Sequence, residues 1–512
     1  MVGTLRRSRK SQGVLFVPPP WQERSSALQA LADELPPDHL ARQIALAVER
    51  IDLKEFLASF RGQGSLPYRP DLLLRVVLFE IRQGNRSPAR WWRDAIDSVP
   101  VRWLLQGYQP SRACWYSFRD RVAPWLEKFN EQVLAEAMDS GITAARRGAL
   151  DGTLIAANAS RHRLVNEGKL NERVAQLARA IDGDKRQESP PVQPAWMAPT
   201  SAGRQRQQQR YQQAQQRMAA MQERNQQKRK TKRKAAEKIV VSVSDPEAAL
   251  GRDKDKVYRP LYNVQLVDDL DSPLILSYGV FAQPNDNGTL EPMLERQTQM
   301  TGRKPDVMLA DAGYASGANL AVAEAAGVTL YAPWQENDFT ASKGQKPKQL
   351  PKEKFSWLEK EQTYECPQGH RLEYVGTSRQ KRSSIETVEV DQYRCPPEHC
   401  CACPVHEQCT PNPEAGRTIS RGEHDDLIEA LRQRMQAPDA KALYRLRRET
   451  VELVNADFKE HRRIRRFSGR GLRRVEAEIG LLVLVNNLLA NAAHANEKRD
   501  AMAEGRPKKL AA

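Results

Sequence analysis

The chain lacks an apolar run that reads as a membrane span. Its longest run, Ile479 to Ala490, is broken by Asn486 and Asn487 and falls short of the roughly 20 residues a bilayer requires. The segment Met1 to Lys10 is basic but has no continuous apolar core of the signal-peptide kind. Together these absences lead to the expectation of a soluble, cytoplasmic protein with no membrane partner. Cysteine is scarce outside one cluster: six of the seven lie between Cys366 and Cys409, and the other is Cys114. Clustered thiols in a reducing compartment point to a metal before disulfides.

Acid is missing where base concentrates. The 512 residues carry a formal net charge of +16, and the excess is uneven. Between Arg204 and Lys238 there are twelve Lys or Arg against two Glu, and between His461 and Arg474 seven Arg and no acid. Basic blocks set apart along a chain favour a nucleic-acid partner over evenly spread solubilising charge. The bland alternative is a solvated tail and a solvated helix face.

The length allows two to four domains. After a basic tail (1–26), residues 27–145 read as helical: Leu40, Ile44, Ala47, Val48 and Ile51 recur at helical spacing, as do Leu72, Leu73, Val76 and Val77. Trp91-Trp92-Arg93, Arg102-Trp103 and Trp115 to Arg119 interleave aromatics with Arg, which suits either helix packing or a DNA-contacting face. Between 146 and 334 the spacing predicts strands at 148–157, 239–244, 262–267, 273–281, 305–311 and 328–333, with helices near 289–301 and 317–326. That order fits an α/β mixed sheet flanked by helices. A basic Gln/Arg-rich insert (183–237) interrupts it. The insert begins with Pro190-Pro191-Val192-Gln193-Pro194 and is too polar to bury itself, which predicts a helical or extended arm that orders on DNA, or else a flexible insert. Residues 335–424 form a Cys-rich insert, 425–495 are helical again, and 496–512 make a polar tail.

Three carboxylates stand out. Asp151 in Ala149-Leu150-Asp151-Gly152-Thr153 and Asp311 in Leu309-Ala310-Asp311-Ala312-Gly313 each end or interrupt an apolar run, as an acid does when a buried strand delivers it to a sheet rim. Glu452 lies in an Arg- and Lys-rich helical stretch. Hard divalent cations need oxygen ligands, and two metal ions held by carboxylates from separate elements are suited to phosphodiester chemistry. Singly, each Asp-Gly or Asp-Ala-Gly is ordinary turn chemistry, and Glu449, Glu460, Glu476 and Glu478 compete with Glu452.

Leu150-Asp151-Gly152-Thr153-Leu154-Ile155-Ala156-Ala157-Asn158-Ala159-Ser160 resembles the first-Asp motif of bacterial insertion-sequence DDE transposases. Tyr262-Asn263-Val264-Gln265 with Asp268, Asn285-Asp286, and Ala310-Asp311-Ala312-Gly313-Tyr314 are similar to that group's next landmarks in the same order. Tyr444, Arg447 or Arg448, Glu452 and Lys459 resemble its Tyr-Arg-Glu-Lys signature. Arg448 and Lys459, at i−4 and i+7, would share the face of Glu452 on a continuous helix, which favours Arg448 over Arg447. The resemblance spans roughly 35–490. It implies a ribonuclease-H-like α/β core behind a helical DNA-binding domain. It implies catalytic and Mg2+ (or Mn2+) ligating roles for Asp151, Asp311 and Glu452, and DNA contacts from Arg447, Arg448 and Lys459. The implied partners are double-stranded DNA, as terminal inverted repeats and target, and further copies of the chain in a homodimer or larger synaptic complex. A bacterial, nucleoid-associated location goes with it. Glu452-Leu453-Val454-Asn455-Ala456 lacks the Phe-Gly that often follows this Glu, which motivates two alternatives: a non-catalytic DNA-binding descendant and a ribonuclease-H-like nuclease.

The Cys-rich insert offers spacings suited to structural Zn2+. Cys395, Cys400, Cys403 and Cys409 are the expected four, with Cys366, Cys401, His399 and His406 as substitutes. A zinc staple would suit a stretch too poor in apolar residues to build its own core.

Overall fold

The computed structural model describes residues 15–21, 25–60, 66–186, 193–334, 350–381 and 387–503. The N-terminal ten residues, the Pro-Pro-Val of the linker and the Lys-rich start of the Cys-rich insert lie outside the described residues. The chain divides into two compact units: residues 1–217, 240–309 and 445–512 form the first, and residues 218–239 and 310–444 the second.

The first unit is built on a mixed sheet. Its strands are β1 (Arg147–Ala156), β2 (Ala249–Arg252), β3 (Tyr258–Asp269), β4 (Ile275–Phe281) and β5 (Val307–Leu309). β3 lies between β1 on one side and both β2 and β4 on the other, all antiparallel to it. β5 joins the free side of β1 in parallel, with Ala149 opposite Leu309. β2, β3 and β4 follow each other closely, whereas β5 is reached through the helix Leu290–Thr301, as a parallel partner of β1 requires a crossover. The strands at 148–157, 262–267 and 273–281 fall where the alternation predicts, and β2 is an addition that its Gly-Arg ending conceals.

The long helix Leu472–Ala503 organises the packing around this sheet. Val475, Ile479, Leu481 to Val485 and Leu488 are buried, and the helix packs on β4 and on the helices Leu40–Glu49, Pro70–Arg82 and Leu126–Asp139. Residues Leu472–Asn496 are long and apolar enough to cross a membrane, unlike the shorter uninterrupted run, but 72% of the most apolar window is buried within the protein. The two asparagines that break the run have work there. Asn487 donates to Ile275 O (2.8 Å) and accepts from Ile275 N (2.9 Å), closing the free edge of β4, and Asn486 donates to Pro273 O. The N-terminal helices therefore share a core with the sheet. Of the interleaved aromatics, Trp91, Trp115 and Phe118 are buried, with Trp91 and Trp115 edge to face at 6.2 Å; these are packing residues.

The basic insert departs from expectation. It forms the helix Ser201–Gln227, and its beginning is packed rather than solvated. Arg204 and Gln207 are buried, Arg204 is paired with Asp184, and Tyr211 stacks on Trp196. A mostly polar sequence can be buried when each donor meets a specific acceptor, and Arg204 Nη1 reaches Gln193 Oε1, Ala198 O and Pro199 O, each at 3.1 Å.

The second unit carries a β-meander of Ser356–Leu358, Thr363–Glu365, Arg371–Lys381, Thr387–Arg394 and Thr418–Arg421, each antiparallel to the next. Phe355, Tyr364, Leu372, Tyr393 and Ile419 form its core with Cys395, Cys400 and Cys409, and Trp357 packs against it. Helices Gly317–Ala326 and Asp425–Gln436 pack together beside the strand Thr329–Tyr331.

Within the helix Pro70–Arg82, Glu80 is buried, and burial together with the nearby Asp94 pushes its carboxyl up to about 8. An acid whose folded-state value lies above its unfolded one holds a proton in the fold, so stability falls as pH rises from the unfolded value near 4.5 to 8. Glu80→Gln should remove that loss. Thermal melts of the variant and wild type should coincide near pH 4 and diverge in the variant's favour by pH 8; equal pH dependence would show that Glu80 is not protonated in the fold.

Candidate active site

Asp151 sits in the middle of β1, opposite Leu266 of β3, with its side chain about one-fifth exposed. Both carboxylate oxygens are engaged by the C-terminal part of the first unit. Arg447 Nη2 donates to Oδ1 (2.7 Å) and Asn455 Nδ2 donates to Oδ2 (2.8 Å). Arg447 Nη1 also lies 3.6 Å from Glu452 Oε1. One guanidinium thus bridges Asp151 and Glu452, residues 301 positions apart in the chain (452 − 151). Lys459 follows one helical turn after Asn455 and is half-buried. Burial and the adjacent Lys254 ammonium push it down to about 8, while Asp151 pulls the other way.

A helix break sets this arrangement. The helix Pro438–Glu449 ends and Val451–Glu460 begins across Thr450, whose φ of −108° and ψ of −90° are not helical. The Thr450 hydroxyl bonds back to Leu446 O (3.0 Å) and Arg447 O (3.3 Å), the local competition that bends helices at Ser and Thr. The i−4 geometry that favours Arg448 holds only on a continuous helix. With the break, Arg448 is exposed and Arg447 turns inward to the two carboxylates.

Asp268 lies on the same face of the sheet, opposite Ala149 and two residues along β3 from Leu266, the partner of Asp151. Neither of its oxygens has a hydrogen-bond partner. Burial pushes its carboxyl well above the ordinary range, and the charges of Asp151 and Asp269 add to the shift. Below the opposite face of β1, Asp286 Oδ1 accepts from Asn263 Nδ2 (2.8 Å) and Gln265 Nε2 (2.6 Å). Gly152 is required beside them because a Cβ there would overlap Asp286 and Gln265.

Asp151, Glu452, Arg447 and Lys459 therefore come together in the first unit. Asp311 belongs to the second unit, where its Oδ1 accepts from Gly313 N (2.8 Å) and caps the turn Ala312–Tyr314. Tyr444 donates to Ala310 O (3.1 Å) next to it. Asn455 and Lys254 were not singled out by sequence. The only signal for Asn455 is its spacing, three after Glu452 and four before Lys459; Lys254, in the turn between β2 and β3, offers none.

The competing glutamates have other partners. Glu478 is buried against Arg86 and accepts from Ser468 N (3.0 Å) and Ser468 Oγ (2.8 Å). Glu476 pairs with Arg296 at 2.6 Å and Glu460 with Arg465 at 2.7 Å. Glu452, by contrast, shares Arg447 with Asp151.

Among the described residues, no three His, Cys, Asp or Glu side chains are gathered in an arrangement that could hold a metal ion. The expected zinc set, Cys395, Cys400, Cys403 and Cys409, is not among such groups. Cys395, Cys400 and Cys409 are core residues of the meander, with Cys366 packed against them, whereas Cys403 is half-exposed and Cys401 exposed. Burial and the neighbouring thiol of Cys400 push Cys395 up. The expectation of zinc combines thiol spacing with a scarcity of core-forming residues. Trp357, Tyr364 and Tyr393 supply them, packed edge to face at 4.9–5.6 Å with Arg421 3.6 Å over the Trp357 ring. His370 and His399 stack on each other at 4.2 Å.

Residues 365–490 match the family described as "Transposase DDE domain". The match covers the meander's cysteines, the helix break and Glu452, and supports a transposase function for the chain. No curated protein and no solved structure matches.

If Glu478 is structural and Glu452 is not, their amides should separate the roles. Glu478→Gln should lower stability by about 2 kcal/mol through loss of a charged, buried hydrogen-bond acceptor. Glu452→Gln, half-exposed, should melt within error of wild type. Equal destabilisation by both, in denaturant titrations, would undo the distinction.

Proposed function

We propose that the protein is a DDE transposase that cleaves DNA at the ends of an insertion sequence and transfers the freed 3′ strand to a target. Asp151, Asp311 and Glu452 would be the catalytic carboxylates. The observation that carries this reading is the Asp151–Arg447–Glu452 cluster: two acids from distant segments share one buried cation within a segment that matches a transposase DDE domain. The sheet supports it as well. β1, β3 and β4, antiparallel in turn, then a crossover helix and the parallel strand β5 beside β1, are what a ribonuclease-H-like core would require. Leu309 is in register with Ala149, so β5 runs alongside the start of β1.

The donor chemistry fits a hard divalent ion such as Mg2+ or Mn2+. Oxygen ligands are offered at a place where a guanidinium already shows that positive charge is favoured. Asp151, Glu452 and Asp311 would hold it. Two such ions, when bound, activate an attacking oxygen and stabilise a leaving one. The chain's own residues do the rest. Asn455 fixes the rotamer of Asp151 through Oδ2. Lys459 and Lys254 place two ammonium groups close enough to share a DNA phosphate, and such an anion would relieve their mutual repulsion. The two basic blocks supply a sequence-independent approach surface, and two element ends imply a dimer or larger assembly in the cytoplasm of a bacterial cell.

The test is incubation of the protein with Mg2+ and duplexes carrying the element's own ends. Joined products are expected. Nicks without joining would indicate a nuclease, and a mobility shift without products a DNA-binding descendant. Asp151→Asn, Asp311→Asn and Glu452→Gln should each reduce product by at least about a hundredfold, an order typical of lost charge stabilisation at a reacting centre. Glu449→Gln and Glu476→Gln should stay near wild type. Near-normal joining by any of the first three would remove that residue from the site.

Replacing Lys228, Arg229, Lys230, Lys232, Arg233 and Lys234 with Gln leaves the packed start of the basic helix intact. Binding to specific and random duplexes should weaken alike, and the slope of log affinity against log salt should fall by about 0.9 for each phosphate the variant no longer neutralises. Loss of end discrimination with the slope unchanged would make this stretch a reader of sequence.

A further inference from the structure

The position of Arg447 bears on how the site is loaded. Its guanidinium spans the two carboxylates at 2.7 and 3.6 Å, and its side chain is only 10% exposed. Its Nε is buried and has no hydrogen-bond partner among the described residues, so the arginine is incompletely satisfied where it stands. It approaches from the last turn of one helix, while Glu452 and Asn455 belong to the next, with the nonhelical Thr450 between them. Two short segments meeting at such a break can reorient without breaking a continuous ladder of backbone bonds.

A guanidinium and a divalent ion compete for the same oxygens. The Oδ1 lone pair that accepts from Arg447 Nη2 cannot at once ligate a metal, and the positive charge of Arg447 repels one. A phosphate, by contrast, suits the forked geometry of arginine and would offer the Nε donor the acceptor it lacks.

We infer that Arg447 is a placeholder cation and positioning residue. In the DNA-free protein it neutralises Asp151 and Glu452 and holds them close together; when DNA arrives it transfers to a backbone phosphate and leaves both carboxylates to divalent ions. This rests on the assignment of Asp151 and Glu452 as metal ligands, and it adds an order of events. DNA and metal binding become mutually reinforcing, and by linkage each must tighten the other by the same factor. A free protein kept in the arginine-bridged state has little metal at its carboxylates until substrate is present.

The measurement is Mn2+ binding to the full-length protein without DNA, read from the electron paramagnetic resonance amplitude of free Mn2+. Arg447→Gln should bind Mn2+ about tenfold more tightly than wild type, within the usual range of coupling between sites. The gain should vanish in the Arg447→Gln/Asp151→Asn double variant. Unchanged or weaker binding by Arg447→Gln, or a gain that survives loss of Asp151, overturns the inference. Should Arg447→Gln fail to fold by circular dichroism, wild type alone decides. End-bearing duplex, corrected for Mn2+ bound to DNA alone, should tighten the protein's Mn2+ binding by a similar factor, and absence of that linkage overturns the inference. Failure of the transposase reading looks different: Mn2+ affinity gained through Asp151 with no strand joining would leave the placeholder standing, whereas joining with no gain would sink the placeholder alone.

Discussion

A carboxylate in the middle of a central strand has to be compensated, and the compensation of Asp151 ties the first unit together. Asp151 is paired with Leu266 of β3, and its side chain is only about one-fifth exposed. Its two oxygens are met by Arg447 and Asn455, residues that enter the fold about 300 positions later. Removing an acceptor or a donor there would leave a largely buried charge unpaired, an imbalance far costlier than the net worth of the pair. The neighbouring Asp268 meets the same constraint differently: it has no hydrogen-bond partner among the described residues, and burial pushes its carboxyl well above the ordinary range.

The same late segment also anchors the N-terminal helices. Arg86 pairs with Glu478 and donates to Arg463 O (2.7 Å) and Arg466 O (2.8 Å), so the loop that follows the Glu452 helix is clasped from the N-terminal side. Ala156 at the end of β1 bonds across to this loop through Phe467 N (2.9 Å). Strand, loop and long helix therefore fix the entry to the carboxylates together. A mutation in the helical region can disturb the site without touching it.

Polar and thiol-rich segments fared differently from the apolar ones. The basic helix hides Arg204 and Gln207 through specific hydrogen bonds, so charge density alone overstated the surface available to a polyanion. The exposed lysines and arginines from Lys228 to Lys234 remain the better candidates for phosphate contacts. In the second unit a handful of aromatics closes a core that also holds Cys395, Cys400 and Cys409.

Hydrophobic periodicity by itself determined the helical N-terminal region, β1, β3, β4 and the crossover helix, because burial of one face is encoded locally. The ordered landmarks Asn263, Gln265 and Asp286 proved to be one hydrogen-bonded network under Gly152, although sequence alone could not say that they touch. Only the tertiary structure decided that Arg447 rather than Arg448 faces the carboxylates. That choice turns on a single nonhelical residue, Thr450, whose side chain competes with its own backbone. Asn455 and Lys254 stayed hidden for the same reason. Their roles depend on contacts between segments distant in the chain, and no local pattern records such contacts.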